Sequence, residues 1–237
     1  DKRGCGQSSG DWRSSGFDDF ANDARAALEA LRKEPHLDPA RLGLIGFSQG
    51  GDVLPLAASR DTNVSVTIDI SGSVAPIAEQ MADEVELSAR RAGCSQRQID
   101  ALLQLNEKGL QFVRSGLESD WASYQNSLVL ARNGDLNGSA VLNRFPDRPD
   151  HPGLRQMRKI IGYDPLNFWK EVKAPKLFIF GGQDTQVVVK KSLHRLENEL
   201  KKNENYTVLL LNPNGHALFR DDVCDFIARW VKEAGKP

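Results

Sequence analysis

Three residues in this chain have the type and setting for nucleophilic chemistry, and the first lies in Gly46-Phe47-Ser48-Gln49-Gly50. The G-x-S-x-G spacing suits a strand that turns sharply into a helix, holding the serine in strained backbone with its hydroxyl exposed. A serine needs a base to take its proton, and the base needs an acid to fix its tautomer and balance its positive charge. An acid, Asp184, closes Gly181-Gly182-Gln183-Asp184, and a base, His216, closes Asn214-Gly215-His216. Both follow short apolar runs. The order serine, acid, histidine is that of one convergent form of the triad. Gln49 follows the serine, so its N–H would open the next helix and face a developing oxyanion.

Other residues compete for these roles. Asp69 ends a second apolar run, where an acid could also stand. His36 and His194 read as surface or structural histidines; His151 does too, with pocket lining as its alternative. Arg3 either braces its own loop or meets a substrate carboxylate. The glycines and serines of residues 1–16 mark a loop. No Lys-Ser or Lys-Thr follows them in the place a phosphate cradle requires.

The elements that must position the three residues can be read from periodicity. Phe17, Phe20, Ala24, Leu28 and Leu31 recur at helical spacing, with Asp18 and Asp19 in the first turn, where the helix dipole favours acids. Leu42 to Phe47 is an unbroken apolar run that predicts a strand buried on both faces. Val53, Leu54, Leu56, Ala57 and Ala58 mark the helix after Ser48, and Val64 to Ile70 alternate as a strand. Strand signals then vanish until residue 176. Ile77 to Ala89, Ile99 to Leu117 and Trp121 to Leu130 read as amphipathic helices, followed by a looser segment with Pro146, Pro149 and Pro152. A strand over residues 176–180, a helix to Leu200, a strand over 208–211 and a helix over 223–231 complete the chain. Alternating strands and helices predict a parallel sheet covered on both faces. The expected organisation is core over 1–73, a helical cap insertion over 74–165, and core again over 166–237. Each cap helix has one apolar face to bury, and the expectation is that the cap roofs Ser48 and sets acyl-group size.

Composition narrows the function classes. The 237 residues are 40% hydrophobic and 27% charged, with a net charge of -1, which favours neither nucleic acid nor an anionic membrane. No apolar stretch approaches the roughly 18 residues that span a bilayer. Cys5, Cys94 and Cys224 are odd in number and far apart, which reads as free thiols rather than a disulfide framework or metal site. The reading calls for no metal or organic cofactor and leaves compartment and oligomeric state open.

Taken together, Asp1-Lys2-Arg3-Gly4, Gly46 to Gly51, Tyr163-Asp164-Pro165 and Gly181 to Asp184 resemble the α/β-hydrolase superfamily. Within it, they resemble bacterial carboxylesterases related to the serine aminopeptidase and dipeptidyl-peptidase-like hydrolases. The resemblance implies an α/β-hydrolase fold with a helical cap, Ser48 as nucleophile, Asp184 as acid and His216 as base. It implies hydrolysis of a small carboxylic ester through an acyl-enzyme. An acyl-CoA thioesterase and a short-peptide peptidase are the rival enzymes, and a binding protein that kept the fold is the rival from another class. The family's second oxyanion donor sits in a His-Gly loop that this sequence lacks. The chain therefore reads as missing the first strands of its sheet, with an open edge beside the Leu42 strand.

Overall fold

The computed structural model describes residues 1–200 and 205–234, which form two compact units. One comprises residues 17–75, 164–200 and 205–234, the other residues 1–16 and 76–163.

The first unit is built on four strands: β1 (Leu44–Phe47), β2 (Thr67–Ile70), β3 (Lys176–Gly181) and β4 (Tyr206–Leu211). They lie in the order β1-β2-β3-β4, all parallel, with Ile45 opposite Ile68, Ile68 opposite Leu177, and Leu177 opposite Thr207. β3 shows how period-two alternation builds both layers at once. Phe178 and Phe180 face a core with Leu54, Leu166, Trp169 and Leu196, whereas Leu177 and Ile179 face one with Ile68, Ile70, Leu218 and Val223. Every residue of β3 is buried, as expected for a parallel strand covered on both sides. Trp169 meets Phe178 edge-on at 4.7 Å between ring centroids.

The helices of this unit are α1 (Phe17–Leu31), α2 (Gln49–Ser59), α7 (Pro165–Trp169), α8 (Val189–Glu199) and α9 (Asp221–Ala234). The numbers α3 to α6 belong to the other unit. α1 packs on α2, and Trp230 of α9 donates its indole N–H to Thr207 Oγ1 at 3.1 Å. α7 starts on Asp164, whose carboxylate accepts the Leu166 N–H, with Pro165 at the first helical position. Arg195 of α8 grips the same carboxylate through both terminal nitrogens, at 2.9 and 2.8 Å, and also donates to the Val74 carbonyl at 2.5 Å.

Three strands depart from the sequence reading. β1 is two residues shorter than the apolar run and is not buried on both faces, because it ends the strand order and Ile45 is 60% exposed. β4, at the other end of the order, alternates partly buried and exposed residues, with Leu210 at 42% exposure. β2 departs in the opposite sense. Its Thr67 and Asp69 alternate with isoleucines, as on a half-solvated strand, yet all four residues are buried between β1 and β3.

The second unit contains α3 (Ile77–Arg91), α4 (Gln96–Ser115), α5 (Glu118–Asn133) and α6 (Pro152–Ile160). α4 opens on a capping box between Ser95 and Gln98 and closes on Gly116 in the left-handed conformation at φ 69°. The three long helices bury their apolar stripes in one shared core with Val85, Ile99, Leu102, Val113, Tyr124 and Leu128. The proline-rich stretch, read as irregular, contains α6, with Pro152 at its first position and His151 as its N-cap. Residues 1–16 group with these helices rather than with the sheet, unlike the 1–73 boundary drawn from sequence. They are tied to α6 by hydrogen bonds from Gln156 to the Trp12 carbonyl and from Lys159 to the Ser14 carbonyl.

Candidate active site

Ser48 stands between β1 and α2 with φ 53° and ψ -121°, a region a non-glycine residue enters only when its surroundings impose it. Its N–H donates to the Ile70 carbonyl of β2 at 2.9 Å, extending the sheet ladder, and its own carbonyl accepts the Gly51 N–H at 2.8 Å. The turn is so tight that a Cβ on Gly46 would lie 2.4 Å from the Gly50 carbonyl oxygen, which explains the glycine two residues before the serine. A serine at a helix N-cap ordinarily spends its oxygen on the first-turn N–H groups. Ser48 makes no such bond, and its Oγ lies 3.0 Å from His216 Nε2.

His216 Nδ1 lies 2.8 Å from Asp184 Oδ2, donating its hydrogen to the carboxylate. The other oxygen, Asp184 Oδ1, accepts the N–H groups of Gln186 at 2.7 Å and Val187 at 3.0 Å. Burial by itself would raise the Asp184 carboxyl. The hydrogen bonds from His216, Gln186 and Val187 outweigh it and hold the group below the usual carboxylate range. The loops carrying acid and base are brought together by close backbone approach: a Cβ on Gly181 would lie 2.0 Å from the Gly215 carbonyl oxygen. Any other residue there would drive the two loops apart. The arrangement can lower the cost of removing the Ser48 proton, store that proton on His216 and return it to a leaving group.

The sequence reading placed Ser48, Asp184 and His216 at three strand ends, and the fold brings their side chains into one hydrogen-bonded chain. Gln49 is the first residue of α2, so its N–H has no acceptor one turn earlier in the helix and is available to a ligand oxygen. Asp69 is not part of the chain. It is fully buried, its Oδ1 accepts the Gly72 N–H at 3.0 Å, and its Oδ2 has no hydrogen-bond partner. Burial, reinforced by the nearby charge of Asp52, pushes its carboxyl well above the usual range despite that hydrogen bond. His194 contacts Asn198 on its own helix, His151 accepts the Gly153 N–H, and Arg3 donates to Ser15 Oγ. The three cysteines are free, and no group of three or more His, Cys, Asp or Glu suited to a metal occurs among the described residues.

Two residues at the site escaped the sequence reading. Ser71 has φ 55°, is fully buried, and donates its hydroxyl to the His216 carbonyl at 2.8 Å, fixing the base's backbone to the end of β2. Phe219, 63% exposed, packs on Phe47 at 4.8 Å between centroids, and Phe47 in turn lies 5.2 Å from the His216 ring. No periodic signal marks either, since one is a lone serine and the other a lone aromatic in a loop.

A parallel sheet flanked by helices, with a serine on a strained strand-to-helix turn, defines a serine hydrolase of the α/β-hydrolase type. The chain belongs to the X-Pro dipeptidyl-peptidase (S15) family, whose sequence pattern it matches over residues 1–218. Among solved structures it is similar to an esterase of Pyrococcus furiosus, with TM-score 0.54 and 16% identity over 98% of this chain and 66% of that one. It is similar also to the α/β hydrolase GrgF of a Penicillium species, with TM-score 0.60 and 16% identity over 99% of this chain and 78% of that one. An acetyl xylan esterase of a Paenibacillus species matches with TM-score 0.51 and 17% identity over 92% of this chain and 53% of that one. This chain thus spans just under two thirds of the Pyrococcus esterase and about half of the xylan esterase. At these identities the likeness is one of fold. No curated protein matches the chain.

Proposed function

We propose that the protein hydrolyses small carboxylic esters through an acyl-enzyme on Ser48. The observation that carries this reading is the chain Ser48 Oγ, His216 Nε2, His216 Nδ1, Asp184 Oδ2, with links of 3.0 and 2.8 Å. Ser48 Oγ bonds to the acyl carbon as His216 Nε2 takes its proton, and the carbonyl electron pair moves onto oxygen. The Gln49 N–H at the α2 N-terminus stabilises that oxyanion. As the carbonyl reforms, the alkoxide leaves with the proton from His216. Water then repeats the sequence, releasing the acid and restoring Ser48. Asp184 keeps Nδ1 protonated and balances the imidazolium charge.

Phe47 and Phe219 give the base an aromatic flank suited to an apolar acyl or alcohol group. Release of a dipeptide from an X-Pro substrate is the second reading, favoured by the family match. That activity calls for a carboxylate to receive the substrate's charged amino terminus. Asp52 and Asp69 are only 4% and 0% exposed, and Asp184 is committed to His216, so none of these three acids is placed to take that role.

The two readings separate in one assay, with p-nitrophenyl butyrate and alanyl-prolyl p-nitroanilide as competing substrates. Turnover of the butyrate at about 1 to 10³ per second, with the anilide at least 100-fold slower in kcat/KM, is expected. The reverse ratio would establish the peptidase. Failure of a fluorophosphonate probe to label Ser48 would remove both.

A further inference from the structure

The helical unit holds a partly open pocket of about 200 Å³ that the chemistry at Ser48 does not use. Its walls are apolar and come from every helix of the unit: Val85 of α3, Val113 of α4, Tyr124 of α5, Leu154 of α6, and Phe145 from the segment before α6. One wall residue is of the wrong kind for a core. Asn106, on α4, lines the cavity, is 7% exposed, and its side-chain amide has no hydrogen-bond partner among the described residues. A leucine would serve packing alone better.

Most of the other polar groups at the pocket are engaged. Tyr124 donates its hydroxyl to the Pro146 carbonyl at 2.7 Å, and His151 Nδ1 accepts the Gly153 N–H at 3.1 Å. Arg144 at the rim pairs with Glu84 and donates to Ser88 Oγ, so this cation is balanced. The cavity therefore offers shape, apolar contact and one amide, which presents a donor and an acceptor side by side. The group that satisfies both at once is another amide. For size, a dry cavity of about 150 Å³ takes a benzene ring, so this one has room for a ring and a small substituent.

We infer that this cavity is a binding site for a neutral, mainly apolar molecule of single-ring bulk that bears a carboxamide, held by Asn106. The site lies wholly within residues 76–163, so it is independent of the ester reading.

The test uses the full chain, with benzamide and toluene as probes followed by NMR. Benzamide is expected to bind with Kd of about 1 mM or tighter, a modest value for nine heavy atoms, and at least about 10-fold tighter than toluene, as one well-made buried hydrogen bond allows. Intermolecular NOEs should connect its ring to the Val113 and Leu154 methyls. Asn106→Leu, nearly isosteric, should reverse the preference, and the NOE pattern in the unsubstituted chain decides the matter if that variant does not fold. Equal affinity for the two probes, NOEs to other residues, or no binding at 10 mM would overturn the inference.

Discussion

In the unit that carries the sheet, six residues of β3 are enclosed on both faces, and the polar side chains that matter emerge only where strands stop. Ser48 follows β1, Asp184 follows β3 and His216 follows β4; the Ser48 N–H continues the sheet ladder to Ile70, the Asp184 N–H closes a turn on Gly181, and the His216 carbonyl accepts the Ser71 hydroxyl. The helical unit is organised differently. Its three long helices run 15 to 20 residues, and their stripes meet along their length, so a polar residue within a stripe, such as Asn106, stands singly among apolar ones. Strand ends gather polar groups from distant parts of the chain, which is what relay chemistry needs. Helix stripes isolate a polar group, which is what a small binding cavity needs.

The largest effect expected on this comparison is at the elbow. Ser48→Ala should lower kcat on p-nitrophenyl butyrate by about 10⁵- to 10⁶-fold while leaving the far-UV circular dichroism unchanged. Retention of more than a hundredth of the activity would place the nucleophile elsewhere. Asp184→Asn should cost about 10⁴-fold through the wrong imidazole tautomer.

In the helical unit the corresponding sensitivity is to volume. Leu102, with no exposed surface, should cost about 2 to 5 kcal/mol on truncation to alanine, measured by urea titration. A cost under about 1 kcal/mol would mean that this core collapses around the loss and is less tightly packed than the sheet layers.

Asp184 and Asp69, both in the sheet unit, should respond to pH in opposite directions. Asp184 is held low in the folded state, so its contribution is present above about pH 4 and is lost as pH falls through its lowered native value. Asp69 is held high, so from about pH 4 upward the folded state binds more protons than the unfolded one, and stability falls as pH rises through that window. Asp69→Asn should abolish this decline in melting temperature while leaving kcat within about threefold. A large loss of kcat would return Asp69 to the list of acids serving His216.

The smallest effect is at Ser71, which touches His216 only through its backbone carbonyl. Ser71→Ala should lower kcat by about 10-fold, equivalent to one hydrogen bond, with KM unchanged. A pure stability loss with kcat intact would make the contact structural only.

How far the site could be read in advance follows from what each residue needs around it. Ser48 was legible because its spacing, its preceding apolar run and its following helix are all local in sequence, and Asp184 and His216 because each closes an apolar run. Asp69 could not be excluded by the same signals, since it too ends such a run. Its fate depends on which strands lie on either side of it. Ser71 is 145 positions from the carbonyl it holds, and no local pattern encodes that distance.

By itself the sequence determined most of the long helices and the strands, the strand-to-helix turn at Ser48 and the order of serine, acid and histidine, because hydrophobic period and glycine placement act over a few residues. Tertiary structure alone decided which strands are enclosed, since β1 and β4 end the order while β2 and β3 do not. It decided that residues 1–16 belong with the helices, through hydrogen bonds to α6. It also decided that His216 reaches Asp184 and not Asp69, because hydrogen bonds act across fractions of an ångström that strand order and loop approach set, and those are properties of the packed chain.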